Sequence, residues 1–447
     1  MRAAGSLVRT AGEHGAPVVG EIERFVCEVL SGLEPDEVER AGGPGRPRVL
    51  PALALWGGVL VCVLRGLGSQ VAVWRLLSLS NLWFYPRFAV TERAVYKRLE
   101  RGGEAPLRRL FEQVSEVLAG RLEPYRDDTL APFASDVVAF DDSTLDQVAR
   151  LLPALRGVPP GDDRLLPGKL SCAFDLRRQQ FRRVEYTDKP HRNEKIGAWA
   201  LLAGLAPGTL ILADLGYFAF RWFDALTDAG HWWVSRQRAG TSTVVLHRFY
   251  EDADTFDGLV WMGKHRADRA KHAVRLVRFT VGGTSFSYLT NVLDPTVLPI
   301  REIARLYARR WDIELAFKLV KRHLGLHLLW SARNAVILQQ VWAVLIIAQI
   351  LQALRLEIAG RAGADPYEVS LPLLVEYAPR LAYEGRDPVA VFVEHGRHLG
   401  FIRPSRRTAI RAPTIDPSRL MPRPPDLLLT RTPRYANKDC GPRPARN

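Results

Sequence analysis

Two short apolar runs in this chain each end on an aspartate. Asp136–Phe140 runs into Asp141, directly after VVAF, and Thr209–Ala213 runs into Asp214, directly after LILA. Runs this short and apolar read as buried strands. A carboxylate at the end of a buried strand is costly unless it is paired or holds a cation. Taken singly, each is as readily a turn residue: Asp141 leads into Ser143–Thr144, and Asp214 stands before Gly216. A third stretch changes the weighing. Residues 307–321 read YARRWDIELAFKLVK, with Tyr307, Arg310, Glu314 and Lys321 at offsets of three, seven and fourteen. At ~100° per residue the four fall within about 60° of one another on a helix. Leu306, Ile313, Phe317, Val320 and Leu324 form a separate apolar stripe beside them, as a half-buried helix requires. Alone, such a charged stripe is a solvated face, and Arg310–Glu314 is an i,i+4 pair worth about a few tenths of a kcal/mol. Three converging carboxylates, by contrast, suit a pair of Mg²⁺ ions about 3.5–4 Å apart.

The order of elements frames these residues. Lys169–Leu176 and Phe181–Thr187 read as consecutive strands joined by the basic turn Arg177–Gln180. Ile196–Leu205 reads as a helix, Thr209–Ala213 as a strand, Ala219–Ala229 as a helix closed by Gly230, and Trp232–Ser235 as a strand. Strands followed by alternating helix and strand predict an α/β sheet layered with helices. Residues 240–293 break that rhythm with four short strands, Val244–Phe249, Leu259–Met262, Val274–Thr280 and Ser285–Leu289, and a turn at Gly282–Gly283. A long helix is expected over 299–325, with further helices to about residue 398. Before the sheet, Glu21–Leu33 reads as a short amphipathic helix, and Ser69–Leu77 and Thr91–Leu99 as helices of a helical domain. Thr91 is placed to cap the second, and Arg93, Lys97 and Arg98 could meet phosphates. The linker between these two helices is longer than the turn of a helix-turn-helix. The expected organisation is a helical DNA-binding region over 1–130, a catalytic domain in two pieces (131–239 and 294–400), the β-rich insertion at 240–293, and a tail at 401–447.

Charge points to the partner. The net charge is +14 and the pI near 9.9, a balance that favours a polyanion, nucleic acid before a membrane. The tail alone carries 11 Lys and Arg against three Asp, with nine Pro, which predicts a flexible arm suited to phosphate backbones. Cys27, Cys62, Cys172 and Cys440 form no C-x-x-C pair, so neither a zinc site nor a disulfide framework is indicated, and a reducing cytoplasm fits. The N-terminal residues show no apolar signal core. Pro51–Leu64 is shorter than the ~20 residues a membrane span needs. Ala335–Leu354 is interrupted by Gln339, Gln340, Gln349 and Gln352, so both read as buried core helices.

FDDSTL, then LADLGYF, then Y-x2-R-x3-E-x6-K, in this order, resemble the DDE transposases of bacterial insertion sequences, in the subgroup defined by the Y-R-E-K motif. The segment GKLSCAFDLRRQQFRRVEYTD is similar to the second and third strands of that family's core. The likeness covers about residues 135–335. It implies a ribonuclease-H-like mixed sheet with flanking helices, interrupted by a β-rich insertion. It implies Asp141, Asp214 and Glu314 as catalytic metal ligands for two Mg²⁺ ions, with Mn²⁺ able to substitute. Tyr307, Arg310 and Lys321 would bind DNA phosphates. The implied reaction is cleavage at transposon ends and transfer of the 3′-hydroxyl ends into target DNA. The implied partners are terminal inverted repeats, target DNA and a second copy of the chain in a synaptic complex. The setting would be a bacterial, nucleoid-associated cytoplasm, with no membrane.

One departure leaves a choice: the first motif has Asp142 where relatives often carry a small residue, so Asp141 or Asp142 could be the ligand. Asp141 directly follows the strand and keeps Ser143–Thr144 in family register. Relatives cut through a hairpin that extrudes a base, and Trp261 in the insertion is the candidate stacking surface. Lys264, His265, Arg266, Arg269, Lys271 and His272 follow it, as a DNA-holding cluster or a solvated loop. Two other readings stay open: a ribonuclease-H-like nuclease without strand transfer, and a non-catalytic DNA-binding protein derived from a transposase.

Overall fold

The computed structural model describes residues 49–145, 168–189, 194–264, 268–405 and 411–435, apart from residues 81, 83, 84, 327 and 332. They fall into two units. One comprises the described residues within 49–125 and 316–405; the other comprises those within 126–145, 168–315 and 411–435. The helices after residue 316 thus group with the N-terminal helices, where the sequence reading had assigned them to the catalytic domain. The helix expected at Glu21–Leu33 lies outside the described residues.

The first unit is helical. It begins with α1 (Ala52–Leu64), α2 (Gln70–Leu79), α3 (Glu92–Gly102) and α4 (Ala105–Arg121). Ser69 and Thr91 cap α2 and α3 by accepting the N–H groups of Ala72 and Ala94, which fixes both starts near where the sequence put them.

The second unit is built on one nine-stranded sheet. Its strands are β1 (Val137–Thr144), β2 (Lys169–Asp175), β3 (Gln180–Thr187), β4 (Leu210–Ala213), β5 (Trp232–Arg236), β6 (Thr243–Glu251), β7 (Thr255–Met262), β8 (Val274–Val281) and β9 (Thr284–Thr290). The order is β3-β2-β1-β4-β5-β9-β8-β7-β6. The pairs β1–β4 and β4–β5 are parallel and the rest antiparallel. The half from β3 to β5 has the ribonuclease-H-like order, flanked by α5 (Glu194–Leu202) and α6 (Phe220–Asp228). The insertion is not a separate layer: β9 pairs with β5 and continues the same sheet. Gly282 and Gly283, both at positive φ, close the β8–β9 hairpin as the sequence predicted. Beneath the sheet, Phe140, Trp222, Phe223, Trp233 and Leu289 share one apolar core.

The long helix expected over 299–325 is three pieces. Helix α7 (Ile300–Arg309) stops where the Arg310 N–H bonds to the Tyr307 carbonyl, α8 (Trp311–Lys318) restarts at once, and Leu319–His323 forms a π-helical turn. The junction falls where consecutive side chains are drawn to different partners, Arg309 to Asp312 and Arg310 to Glu314. The helical unit then resumes with α9 (Asn334–Ala362), α10 (Leu371–Tyr383) and α11 (Pro388–His395). By length and composition α9 could cross a membrane, but 83% of its most apolar window is buried within the protein. Its glutamines explain themselves: Gln339 donates to the Leu99 and Gly103 carbonyls at the end of α3, and Gln349 donates to Ser115. Gln339 thereby satisfies carbonyls at the α3 C-terminus that the helix itself leaves unpaired.

The tail departs from expectation over its described part. Residues 429–434 lie beside the loop after β7, with Arg434 and Arg269 exchanging both backbone hydrogen bonds and Arg431 donating to the Lys271 carbonyl. Tyr435 donates to the Asp224 carboxylate at 2.7 Å. Composition predicted no packed fold because it cannot register such edge-to-edge pairing. Residues 436–447 lie outside the description.

The insertion is also held by a buried ion pair. Arg275 on β8 grips Asp257 on β7 with two bonds of 2.6 Å and donates to the Leu298 carbonyl just before α7; both side chains are at most 1% exposed. Removing one partner strands the other charge in the interior. Arg275→Met is expected to lower the unfolding free energy by about 3–5 kcal/mol, read as the shift of the urea denaturation midpoint at constant slope.

Candidate active site

Strand alternation separates the two adjacent aspartates of β1. Asp142 lies on the Phe140 face and is fully engaged: Lys169 on β2 meets it at 2.6 Å and the Tyr217 hydroxyl donates to it at 2.7 Å. Asp141 points to the opposite face and is 21% exposed. Between the two, Asp141 is the carboxylate left open to a ligand.

Asp214 reaches the same place through the sheet. Parallel strands β1 and β4 pair Phe140 with Ala213, so the next residues, Asp141 and Asp214, lie side by side where β4 ends, while β1 runs on to Thr144 against β2. That edge is where open α/β sheets bind ligands. Asp214 is half-buried in extended backbone, and its carbonyl accepts the Tyr217 N–H.

The third carboxylate comes from α8. Arg310, at the α7–α8 junction, donates to Glu314 at 2.7 Å and stands 3.8 Å from Asp141. Arg310 is only 5% exposed. Burial opposes its charge, but Tyr307, Glu314, Asp214 and Asp141 outweigh that and hold its pKa above the usual arginine value. Burial, reinforced by Glu314 and Asp214, pushes the Asp141 carboxyl up to about 7 against the opposing pull of Arg310 and the Asp142 N–H. Tyr307, packed on Tyr288 with ring centroids 5.1 Å apart, is pushed up to about 12, chiefly by burial. Among the described residues, the Arg310 Nε and the Tyr307 hydroxyl are buried without a hydrogen-bond partner.

One guanidinium therefore serves three carboxylates, which leaves the cluster net negative. Among the described residues no three His, Cys, Asp or Glu side chains are already gathered as a metal cage; Arg310 occupies the position of the cation. The all-oxygen donor set and the excess negative charge fit Mg²⁺. The unpartnered Arg310 and Tyr307 donors fit an anion's oxygens beside it.

Not every predicted residue joins. Lys321 falls in the π-helical turn Leu319–His323, which belongs to the helical unit. Trp261 is not presented for stacking: it is 9% exposed in β7, and the Arg431 guanidinium lies 4.6 Å from its ring centroid. In the basic cluster, Lys271 and His272 both meet Asp228 at 2.7 Å, so part of its charge is neutralised; His265 and Arg266 lie outside the described residues. The sequence reading passed over Trp311, which is 58% exposed with the Arg310 guanidinium 5.7 Å from its ring centroid. Leu315, 40% exposed, follows it at i+4. The signal was available: a tryptophan that stands off the Ile313–Phe317 apolar stripe has no core to enter.

Residues 159–350 match the family model of the transposase DDE domain. A candidate transposase of Sinorhizobium fredii (strain NBRC 101917 / NGR234), y4zB, is 27% identical over 248 residues, covering 54% of this chain and 66% of that protein, just under two thirds of its length. A cryo-EM structure of the piggyBac transposase synaptic complex with hairpin DNA aligns with 88% of this chain and 84% of its own, at 9% identity. Its TM-score of 0.40 is too low to bear on fold or function.

The raised Asp141 pKa has a definite sign. A carboxyl whose folded pKa lies above its unfolded value stabilises the fold below about pH 4, and that contribution is lost as pH rises through about 7. The metal-free protein is expected to lose melting temperature between about pH 4 and pH 7 through this group, and Asp141→Asn to flatten the slope, read by thermal denaturation across that range.

Proposed function

We propose that this chain, whose residues 159–350 match the transposase DDE domain, acts as a DDE-type transposase: it cuts the phosphodiester bonds at the ends of a mobile DNA element and joins the freed 3′-hydroxyls to target DNA. The observation that carries the reading is the convergence of Asp141, Asp214 and Glu314 on a single buried guanidinium. Scattered carboxylates would repel DNA; gathered ones serve a purpose when cations bridge them to phosphate.

In this reading Asp141, Asp214 and Glu314 hold Mg²⁺. Two bound ions would supply an activated water or 3′-hydroxyl and relieve charge on the leaving oxygen. Arg310 has a second task. Released from Asp141 and Glu314, its planar fork turns to the scissile phosphate, where its unpartnered Nε adds a donor. The Tyr307 hydroxyl donates to a phosphate oxygen from its rigid seat on Tyr288. Lys321 supplies a mobile point charge further along the DNA, as the Y-R-E-K motif implies. Trp311, exposed beside Arg310, offers the aromatic face on which an unstacked base rests, in place of the covered Trp261. The basic charge draws in both the terminal repeats and target DNA, and pairing of two ends requires a homodimer in the synaptic complex.

The test uses full-length protein, Mg²⁺ and linear DNA carrying the inverted repeats that flank the gene. Asp214→Asn and Glu314→Gln are each expected to lose roughly 10²-fold or more in end cleavage, since even outer partners of metal ligands cost 10–100-fold. Cleavage at the wild-type rate by either variant would remove the assignment, and cut but never joined products would limit it to a nuclease. Trp311→Ala is expected to weaken binding to end DNA by about 1–3 kcal/mol, measured by fluorescence anisotropy, while Trp261→Ala changes it less.

A further inference from the structure

Asp312 lies two residues before Glu314 and is almost wholly buried, yet it faces away from the candidate site. A buried carboxylate persists only where donors compensate its desolvation. Its Oδ2 accepts from Arg309 Nε at 2.6 Å and from Gln179 Nε2 at 3.0 Å. Arg309 also donates to the Leu176 carbonyl at 3.1 Å and to Asp127 at 3.2 Å. Gln179 also donates to the Leu176 carbonyl at 3.0 Å. The α7–α8 junction is thereby bound to one four-residue turn, Leu176–Gln179, between β2 and β3.

The same turn holds the strand that carries Asp141. The Leu176 N–H bonds to the Val137 carbonyl at the start of β1. Arg177, 3% exposed, donates to the carbonyls of Leu130, Ala131, Ala134 and Ser135 in the segment leading into β1. Among the described residues the only non-glycine residues at positive φ are Gln179 (56°) and Ala131 (47°), and both belong to this assembly. Glycine would close the hairpin turn at Gln179 without strain, but it has no amide to reach Asp312.

We propose that Gln179 and Asp312 are positioning residues: through them the β2–β3 turn sets the Glu314 carboxylate at its working distance from Asp141. This rests on the reading of Asp141 and Glu314 as metal ligands. Nothing in the turn touches DNA or metal; it fixes two ligands that arrive from parts of the chain far apart in sequence. A displacement of about 1 Å in such a constellation can cost on the order of 10²-fold in rate.

Gln179→Gly is the informative variant, because it deletes the amide and leaves a residue suited to the turn. In full-length protein, Ca²⁺ binding measured by calorimetry without DNA is expected to weaken about 10-fold, and kcat for end cleavage in Mg²⁺ to fall about 10–100-fold, with KM for end DNA unchanged. The Mg²⁺ concentration for half-maximal rate should rise in parallel; a partly unfolded preparation would lower kcat without that shift. Asp312→Asn keeps the shape and loses the charge, and is expected to show the same pattern. The double variant should be no worse than Asp312→Asn alone, since Gln179 acts on the junction through the Asp312 carboxylate, which Arg309 also holds. Glu314→Gln, run alongside, separates the two claims. If it abolishes Ca²⁺ binding while Gln179→Gly binds Ca²⁺ and turns over like the wild type, the positioning role is overturned alone. If Glu314→Gln itself binds Ca²⁺ normally, the ligand reading falls and this inference with it.

Discussion

Two parallel strands paired in register place two carboxylates side by side where the shorter strand ends, and the candidate site is built around that charge. The pairing of Phe140 with Ala213 brings Asp141 and Asp214 out together. Burial is the main reason the Asp141 pKa is raised, and repulsion from Glu314 and Asp214 adds to it against the pull of Arg310 and the Asp142 N–H. Arg310 is the compensating cation in the free protein, and its buried guanidinium is tolerated because four neighbouring groups favour its charge. In the proposed reading, a divalent ion would be held by these carboxylates and a phosphate by the arginine.

The remaining buried charges of the unit differ in kind. Asp142 with Lys169, Asp257 with Arg275, and Asp312 with Arg309 are closed pairs whose partners leave little capacity for a ligand. Asp141 and Asp214 are open, with partial exposure and, among the described residues, no such close cation of their own. The contrast between closed and open carboxylates separates scaffold from site more sharply than position in the chain does. The adjacent pair at 141–142 shows the same contrast: alternation of strand faces sends one acid to Lys169 and Tyr217 and the other toward Arg310.

Much of the fold was legible because local patterns agreed with the final packing. The strands of the core and of the insertion lie within a few residues of where alternation and turn signals put them, and Ser69 and Thr91 cap the helices they were expected to open. The misplaced features share a cause. The break at Arg310, the burial of Trp261 under Arg431 and the paired tail all depend on partners distant in sequence, and periodicity carries no information about those.

The sequence by itself determined which residue types stand at the strand ends and on the α7–α8 segment, since the chemistry of Asp141, Asp214, Arg310 and Glu314 is carried by their identities and spacing. Only the tertiary structure decided which of them meet. Parallel register brought the two aspartates together, a buried ion pair and a strained glutamine bound the helix junction to the β2–β3 turn, and Arg431 of the C-terminal segment covered one tryptophan while another stayed exposed. The physical reason is that desolvation and charge pairing are properties of a place, and a place exists only once distant segments have packed around it.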